Sequence, residues 1–358
     1  MEIKKIILYL FAIIMPTSCV FYESPLLNVE GDYLLSLNQN NNIQYFSFAI
    51  KLGDYLYLAD GKGIHKIDRN LENKQTLFSV ENQNRNRSVI SNLQYHNGNI
   101  YFLNGMNASI YSMDIKDYFV TRIISSYEIG EIGAIDHFIV TPNEIFMRFF
   151  LFNGLDTDLV SFNFYTNKIE VFDFNAEMTT AFAISQNKDY LYLSYNFVLG
   201  ALNLESRELI NNMPTNSTEI DILSMIFRTY VDGRMIFSNY SNRTSILFAT
   251  NEYNYAEKIY EFPDIHVSSE INAVGKWIYF TQRPLNSIYL HLYRIKNDGS
   301  NLELVYPKIS YMNPGIPFLF FNVFSEDLIV FRISQQFHET YALIRDEHTG
   351  ELIRRRLN

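Results

Sequence analysis

"GKWIYFTQRPLNSIYLHLYRIKNDGSNLELVY", residues 275–306, holds three short apolar runs parted by turn-forming residues. Runs of this length, bounded by Gly, Pro and Asn, read as antiparallel strands. Whether they are a stray pair of hairpins or one copy of a repeated unit decides the fold, since a fixed period changes the whole architecture.

The unit recurs. Two turn-type residues followed by an aromatic-rich apolar run appear as GDYLYL, GNIYFL, NEIFMR, KDYLYL, GRMIFS, GKWIYF and EDLIVF. Aligned on Tyr55, Ile100, Ile145, Tyr190, Met235, Trp277 and Leu328, they are spaced by 45, 45, 45, 45, 42 and 51 residues. An apolar segment such as GAIDHFIV or FLFFNVF precedes each run, and two more strand-like runs follow it, as in SIYSMDI and VTRIIS. No unit keeps a 3.6-residue apolar period. One twisted four-stranded sheet cannot bury both faces until neighbours stack round a ring, so units of this size predict propeller blades. The expected fold is all-β, a seven-bladed β-propeller of four-stranded antiparallel blades, with the quoted stretch in blade six. A six- or eight-bladed ring is also compatible, because the 51-residue interval contains PKISYMNPGIPF and GDYLLSLN (31–38) could add a closing strand. The Asp-Gly of NDGS (297–300) and Gly350 of HTGE supply tight turns between third and fourth strands.

At 358 residues, 47% hydrophobic and 19% charged, the chain can bury a large core. Its 26 Tyr and 29 Phe favour the half-buried surface of strands. The formal charge of −10 argues against a nucleic-acid partner, which would need clustered Lys and Arg to displace counterions. The one basic cluster, Arg354, Arg355 and Arg356, reads as a solvated strand end.

The N-terminus reads as an address. Lys4 and Lys5 precede the apolar run Ile6 to Met15, then PTSC. Ten apolar residues make a helix of about 15 Å, too short to span a bilayer but suited to a signal peptide over residues 1–18. Its removal takes away Lys4, Lys5 and Glu2 and leaves 27 basic against 38 acidic residues. Cys19 is the only cysteine, so it can form no internal disulfide and no Cys-rich metal site. This arrangement resembles the bacterial lipoprotein signal, which implies lipid attachment at Cys19. The alternative is an ordinary secretory peptide. Residues 19–42 are expected to be the lipidated cysteine, a tether and the candidate closing strand, and residues 43–358 the propeller.

Within the repeat, the run Ile278-Tyr279-Phe280-Thr281-Gln282, followed by Arg294 and by Asp298-Gly299-Ser300, resembles the YWTD-type propeller repeat of low-density-lipoprotein-receptor-like proteins and related bacterial lipoproteins. Phe280 stands for that repeat's Trp and Gln282 for its Asp, whereas Asp60 of YLYLAD keeps the Asp in blade one. The resemblance implies a binding scaffold and carries over no catalytic residue.

Chemistry is sparse in the pattern. The seven histidines (65, 96, 137, 266, 291, 338, 348) form no HxH or HExxH pair, so neither a metal nor any other cofactor is expected. There is no G-x-S-x-G elbow or phosphate loop, and Asp156/Asp158 and Glu326/Asp327 fall in predicted turns, where carboxylates cap backbone. A Ser-His-Asp triad is recognised by geometry, not by order along the chain, and stays open. The loops joining second to third strands and blade to blade share one face, and there the candidate binding residues are Arg85, Arg87, Tyr240, Arg243, Arg283 and Tyr311, of types enriched at binding hot spots. The expected function is that of a non-enzymatic envelope lipoprotein, held to a membrane by its N-terminal lipid, whose propeller binds a protein, peptide or glycan. The alternative is a hydrolase or lyase acting on polysaccharide or peptide at the channel mouth.

Overall fold

In the computed structural model the described residues are 47–60, 63–80, 90–130, 133–151, 157–172, 183–184, 189–195, 198–211, 225–231, 234–241, 244–250, 256–262, 267–282, 284, 287–311, 319–333 and 339–357. They form a seven-bladed β-propeller. Seven antiparallel sheets of four strands cover residues 49–79, 90–125, 133–172, 183–211, 225–261, 267–311 and 319–356, each in simple chain order. First strands touch between blades one, two and three and between blades four, five, six and seven, and the first strand of blade seven, Leu319–Ser325, returns to that of blade one, Ala49–Leu52. Each described sheet is one continuous stretch of chain, so the ring closes by packing between blades seven and one. The candidate closing strand at 31–38 lies outside the described residues.

The core is a series of apolar layers between blades. Tyr57, Ile64 and Phe78 of blade one pack on Ile100, Phe102 and Met113 of blade two. Ile139, Phe146 and Leu159 of blade three meet Leu191 and Leu202 of blade four. At the closure, Leu56, Leu58 and Ile67 of blade one cover Phe324, Val330 and Ala342 of blade seven. Alternate residues of a strand face opposite neighbours, which is why second strands such as Trp277–Gln282 are apolar almost throughout.

The hairpins correct the register read from the repeat. Leu52 pairs with Tyr55, His96 with Asn99, Val231 with Arg234 and Val274 with Trp277. Leu56, Ile100, Met235 and Ile278 are therefore equivalent. Leu328 opposite Ser325 and Tyr190 opposite Asn203 hold the places of Tyr55 and Trp277, so the sequence alignment lies one residue early in blades one, four, six and seven. An apolar run filled on both faces does not betray a one-residue slip. Part of the long interval before blade seven is a nine-residue outer strand, Glu303–Tyr311, with register shifts near Pro307. Proline lacks the N–H that a regular ladder needs.

The turns between third and fourth strands follow one design that reaches beyond the two glycine turns. Asp114, Asn163, Asn203 and Asp346 each begin a turn in which a side-chain oxygen accepts backbone N–H groups. Their carbonyls accept from Tyr118, Asn167, Arg207 and Gly350. Those four residues have positive φ of 59°, 54°, 61° and 71°. Residues of these turns grip the preceding blade. Tyr118 of blade two accepts from Lys66 Nζ of blade one at 3.1 Å. Arg207 of blade four makes two 2.8 Å bonds to the Glu144 carboxylate of blade three. The blade-six turn accepts from Arg234 of blade five through Asn297 O at 2.9 Å.

Candidate functional site

The seam between blades seven and one carries polar assemblies at both its ends. At the end formed by the turns after first and third strands lies a groove of about 830 Å³. Its wall in blade one is built from the hairpin at Asp54 and the turn Asp68–Glu72, and its wall in blade seven from the hairpin at Asp327 and the turn 346–350. The lining carries six carboxylates against four Lys or Arg side chains and His348. Much of it is fixed in place. Asp68 accepts from Glu72 N at 3.1 Å and from the Asn73 side chain, bonds that hold its carboxyl below the usual carboxylate range. Asp346 is lowered in the same way by the N–H groups of Thr349 and His348. Arg345 bonds Asp327 and Gly350 O, each at 2.6 Å, and Arg355 reaches Asn70 O of blade one at 2.8 Å. Asp54, Arg69, Glu72 and Glu347 are exposed and have no side-chain partner among the described residues.

At the other end of the seam, Asp60, His65 and Thr76 share the face of blade one that carries Leu56, Leu58 and Ile67. The ladder between third and fourth strands slips by one residue between Ile64 and His65, which sets His65 opposite Thr76. Thr76 Oγ1 lies 3.0 Å from His65 Nδ1, and His65 Nε2 lies 2.6 Å from Asp60 Oδ2. The second contact is close but poorly aimed for a hydrogen bond. Gly63 N donates to Asp60 Oδ1 at 3.0 Å, and Lys74 Nζ stands 3.7 Å from Oδ2. Arg332 of blade seven, fully buried, donates to Ala59 O and to Thr340 Oγ1 and lies 4.4 Å from the Phe48 ring centre. Burial lowers its guanidinium to about 10, and Asp60 opposes that shift.

A third polar cluster joins blades two and three. Asp136 sits at a bulge of the blade-three inner strand, Gly133–Val140, and makes a two-point contact with buried Arg148. Burial pushes Asp136 up to about 7 and Arg148 down to about 10. His137, wholly buried beside Asn92, is lowered to about 3 by desolvation.

Of the residues expected to form a binding face, Arg85, Arg87, Arg243 and Arg283 lie outside the described residues, as does Cys19. Tyr240 and Tyr311 fall inside strands rather than loops, near the end of the second strand of blade five and at the end of the outer strand of blade six. Strand direction puts both at the face where second-to-third and interblade connections emerge, opposite the groove. Their side chains are not among those described. Glu326 and Asp327 lie in a turn as expected, paired with Arg294 and Arg345 at 2.7 and 2.6 Å. The arginine cluster is engaged rather than merely solvated: Arg354 lies 3.7 Å above the Tyr341 ring, Arg355 bonds blade one, and Arg356 pairs with Glu339 at 3.2 Å. Sequence offered no signal for the Asp60–His65–Thr76 chain, because only strand pairing brings these residues together. Among the described residues no group of three or more His, Cys, Asp and Glu is arranged to hold a metal ion.

No family model and no curated protein matches this chain. Solved structures do. The dihydro-heme d1 dehydrogenase NirN aligns with a TM-score of 0.53 and 14% identity over 87% of this chain and 66% of its own. An oligogalacturonate lyase in complex with manganese gives 0.53 and 10% over 84% of each chain, and the AfRom2 CNH domain 0.52 and 10% over 87% and 94%. The likeness is one of fold. At these identities it supports the propeller, without singling out the YWTD-type repeat, and brings no activity with it.

Proposed function

We propose that this propeller is an envelope lipoprotein of the YWTD-like kind, anchored through Cys19, that binds a polypeptide segment of mixed charge in the groove at the blade-seven and blade-one seam. The observation that carries this reading is the groove itself: about 830 Å³, with walls set by capped turns and ion pairs before any partner arrives. A rigid polar lining limits the ordering cost of association, so more of the contact energy appears as affinity. Both signs of charge project into it from Asp54, Arg69, Glu72 and Glu347, which suits a peptide with its own Lys and Asp or Glu better than a polyanion. Rim charges of this kind set association rate and partner choice.

The test is a peptide array and a glycan array probed with the full chain beside the Arg69→Glu and Glu347→Lys variants. Saturable binding to mixed-charge peptides, weakened about tenfold by either reversal and by added salt, is the expected result. Peptide binding indifferent to both reversals would move the site elsewhere, and turnover of an array glycan would favour the hydrolase or lyase alternative. The anchor is tested separately by metabolic labelling with a fatty-acid analogue, where equal labelling of Cys19→Ala rules it out.

A further inference from the structure

We infer that Thr76 is an activated hydroxyl that accepts an acyl group from an activated ester, with His65 as its base and Asp60 as the group that orients and charges that base. This site is separate from the groove and does not depend on a ligand binding there.

Three observations converge. Thr76 is exposed on the outer strand of blade one, Lys74–Ser79, while the imidazole behind it is buried, so the oxygen can meet a reagent and its partner is shielded from water. The contacts run in the order a nucleophile needs, hydroxyl to Nδ1 at 3.0 Å and Nε2 to carboxylate at 2.6 Å. An anion at Nε2 favours the tautomer with its proton there, which leaves Nδ1 as acceptor and the threonine O–H as donor. The Asp60 contact is off-axis as it stands, and such bonds often tighten only when a substrate binds. Finally, Lys74 Nζ stands 3.7 Å from Asp60 Oδ2 and Gly63 N donates to Asp60 Oδ1 at 3.0 Å, so the carboxylate is held in place beside the ring.

The step balances within the site. Thr76 Oγ1 forms a bond to the acyl carbon as its proton passes to His65 Nδ1. The bond from that carbon to the leaving oxygen then breaks, and His65 returns the proton to it. The products are an ester on Thr76 and a free alcohol or phenol, with no oxidant or reductant involved.

The probe is 4-nitrophenyl acetate, incubated with the full chain and followed by nitrophenol release and peptide mass mapping. An acetyl group on Thr76 is expected. Thr76→Val, a same-sized change at an exposed position, should abolish that adduct, and Asp60→Asn and His65→Gln should slow it about 100-fold. The wild-type rate of Thr76 acetylation should depend on pH and lose that dependence in His65→Gln, a signature a purely structural contact would not produce. Acetyl groups confined to lysines or the N-terminus, or Thr76 acetylation unchanged in folded His65→Gln, would overturn the assignment.

Discussion

His137 shows what burial does to an ionisable side chain between two blades. Its value falls from 6.5 to about 3 because no water reaches the ring to solvate a charge. Below pH 6.5 the unfolded chain takes up a proton that the folded chain refuses. The stability due to the neutral ring is therefore complete above pH 6.5, falls by about 1.4 kcal/mol per unit as pH drops, and is exhausted near 3. Asp136, pushed up to about 7, takes up a proton in the folded chain over much of the same window and opposes this slope. His137→Gln should therefore raise urea midpoints relative to wild type as pH falls below 6.5, while the same pH dependence in both proteins would show that His137 plays no part in it. Gly299 is the opposite case, a residue defined by what it lacks. Its φ is +82°, and an added Cβ would come within 2.8 Å of Ile259 O in blade five. Gly299→Ala should cost about 2 kcal/mol or more from the left-handed backbone and the clash together, read as a lower midpoint with unchanged slope. The Asp-Gly pair announced a turn in the sequence, but its approach to the neighbouring blade could be learned only from the folded ring.

Single strands and turns were largely legible; the bonds between blades were not. Aromatic runs and turn residues at a near-constant spacing give the number of sheets and their strand order, because sheet patterning is a local property. Buried amides have no such signature. Gln94 lies opposite Tyr101 and Asn272 opposite Tyr279, so the two amides hold the same place in blades two and six. Gln94 donates to Phe138 O and accepts from Val140 N at 3.0 Å, and Asn272 donates to Phe321 O at 2.9 Å and accepts from Val323 N at 3.3 Å. Each clamps the first strand of the next blade. In blade two, Asn92 also donates to Phe138 O, at 3.1 Å, so that carbonyl keeps a donor when Gln94 is lost. Asn272→Leu should therefore destabilise by about 3 kcal/mol and Gln94→Leu by about 1–2 kcal/mol. Equal losses in chemical denaturation would show that Asn92 does not compensate.

A ring of seven similar interfaces has one that the chain does not cross, and here that interface holds both the groove and the Asp60–His65–Thr76 chain. Neighbouring blades elsewhere follow one another in sequence, so linkers keep them close even when side-chain packing loosens. Blades one and seven are joined in the described chain only by noncovalent contacts, chiefly the Leu56, Leu58 and Val330 layer, the Arg332 bond to Ala59 O and the Arg355 bond to Asn70 O. Among the described residues, contacts of this kind are what opposes the loop-closure entropy of bringing residue 49 to residue 356. Arg332→Met keeps most of the side-chain volume but removes the bonds to Ala59 O and Thr340 Oγ1 and the cation above Phe48. It should lower global stability by about 2 kcal/mol, and local opening should exceed that share at the seam. Hydrogen exchange measured under native conditions would then speed first in 49–60 and 328–345, with blades three and four little changed. If protection fell evenly round the ring, the seam would be no weaker than any other interface, and the groove would owe its shape to the turns alone.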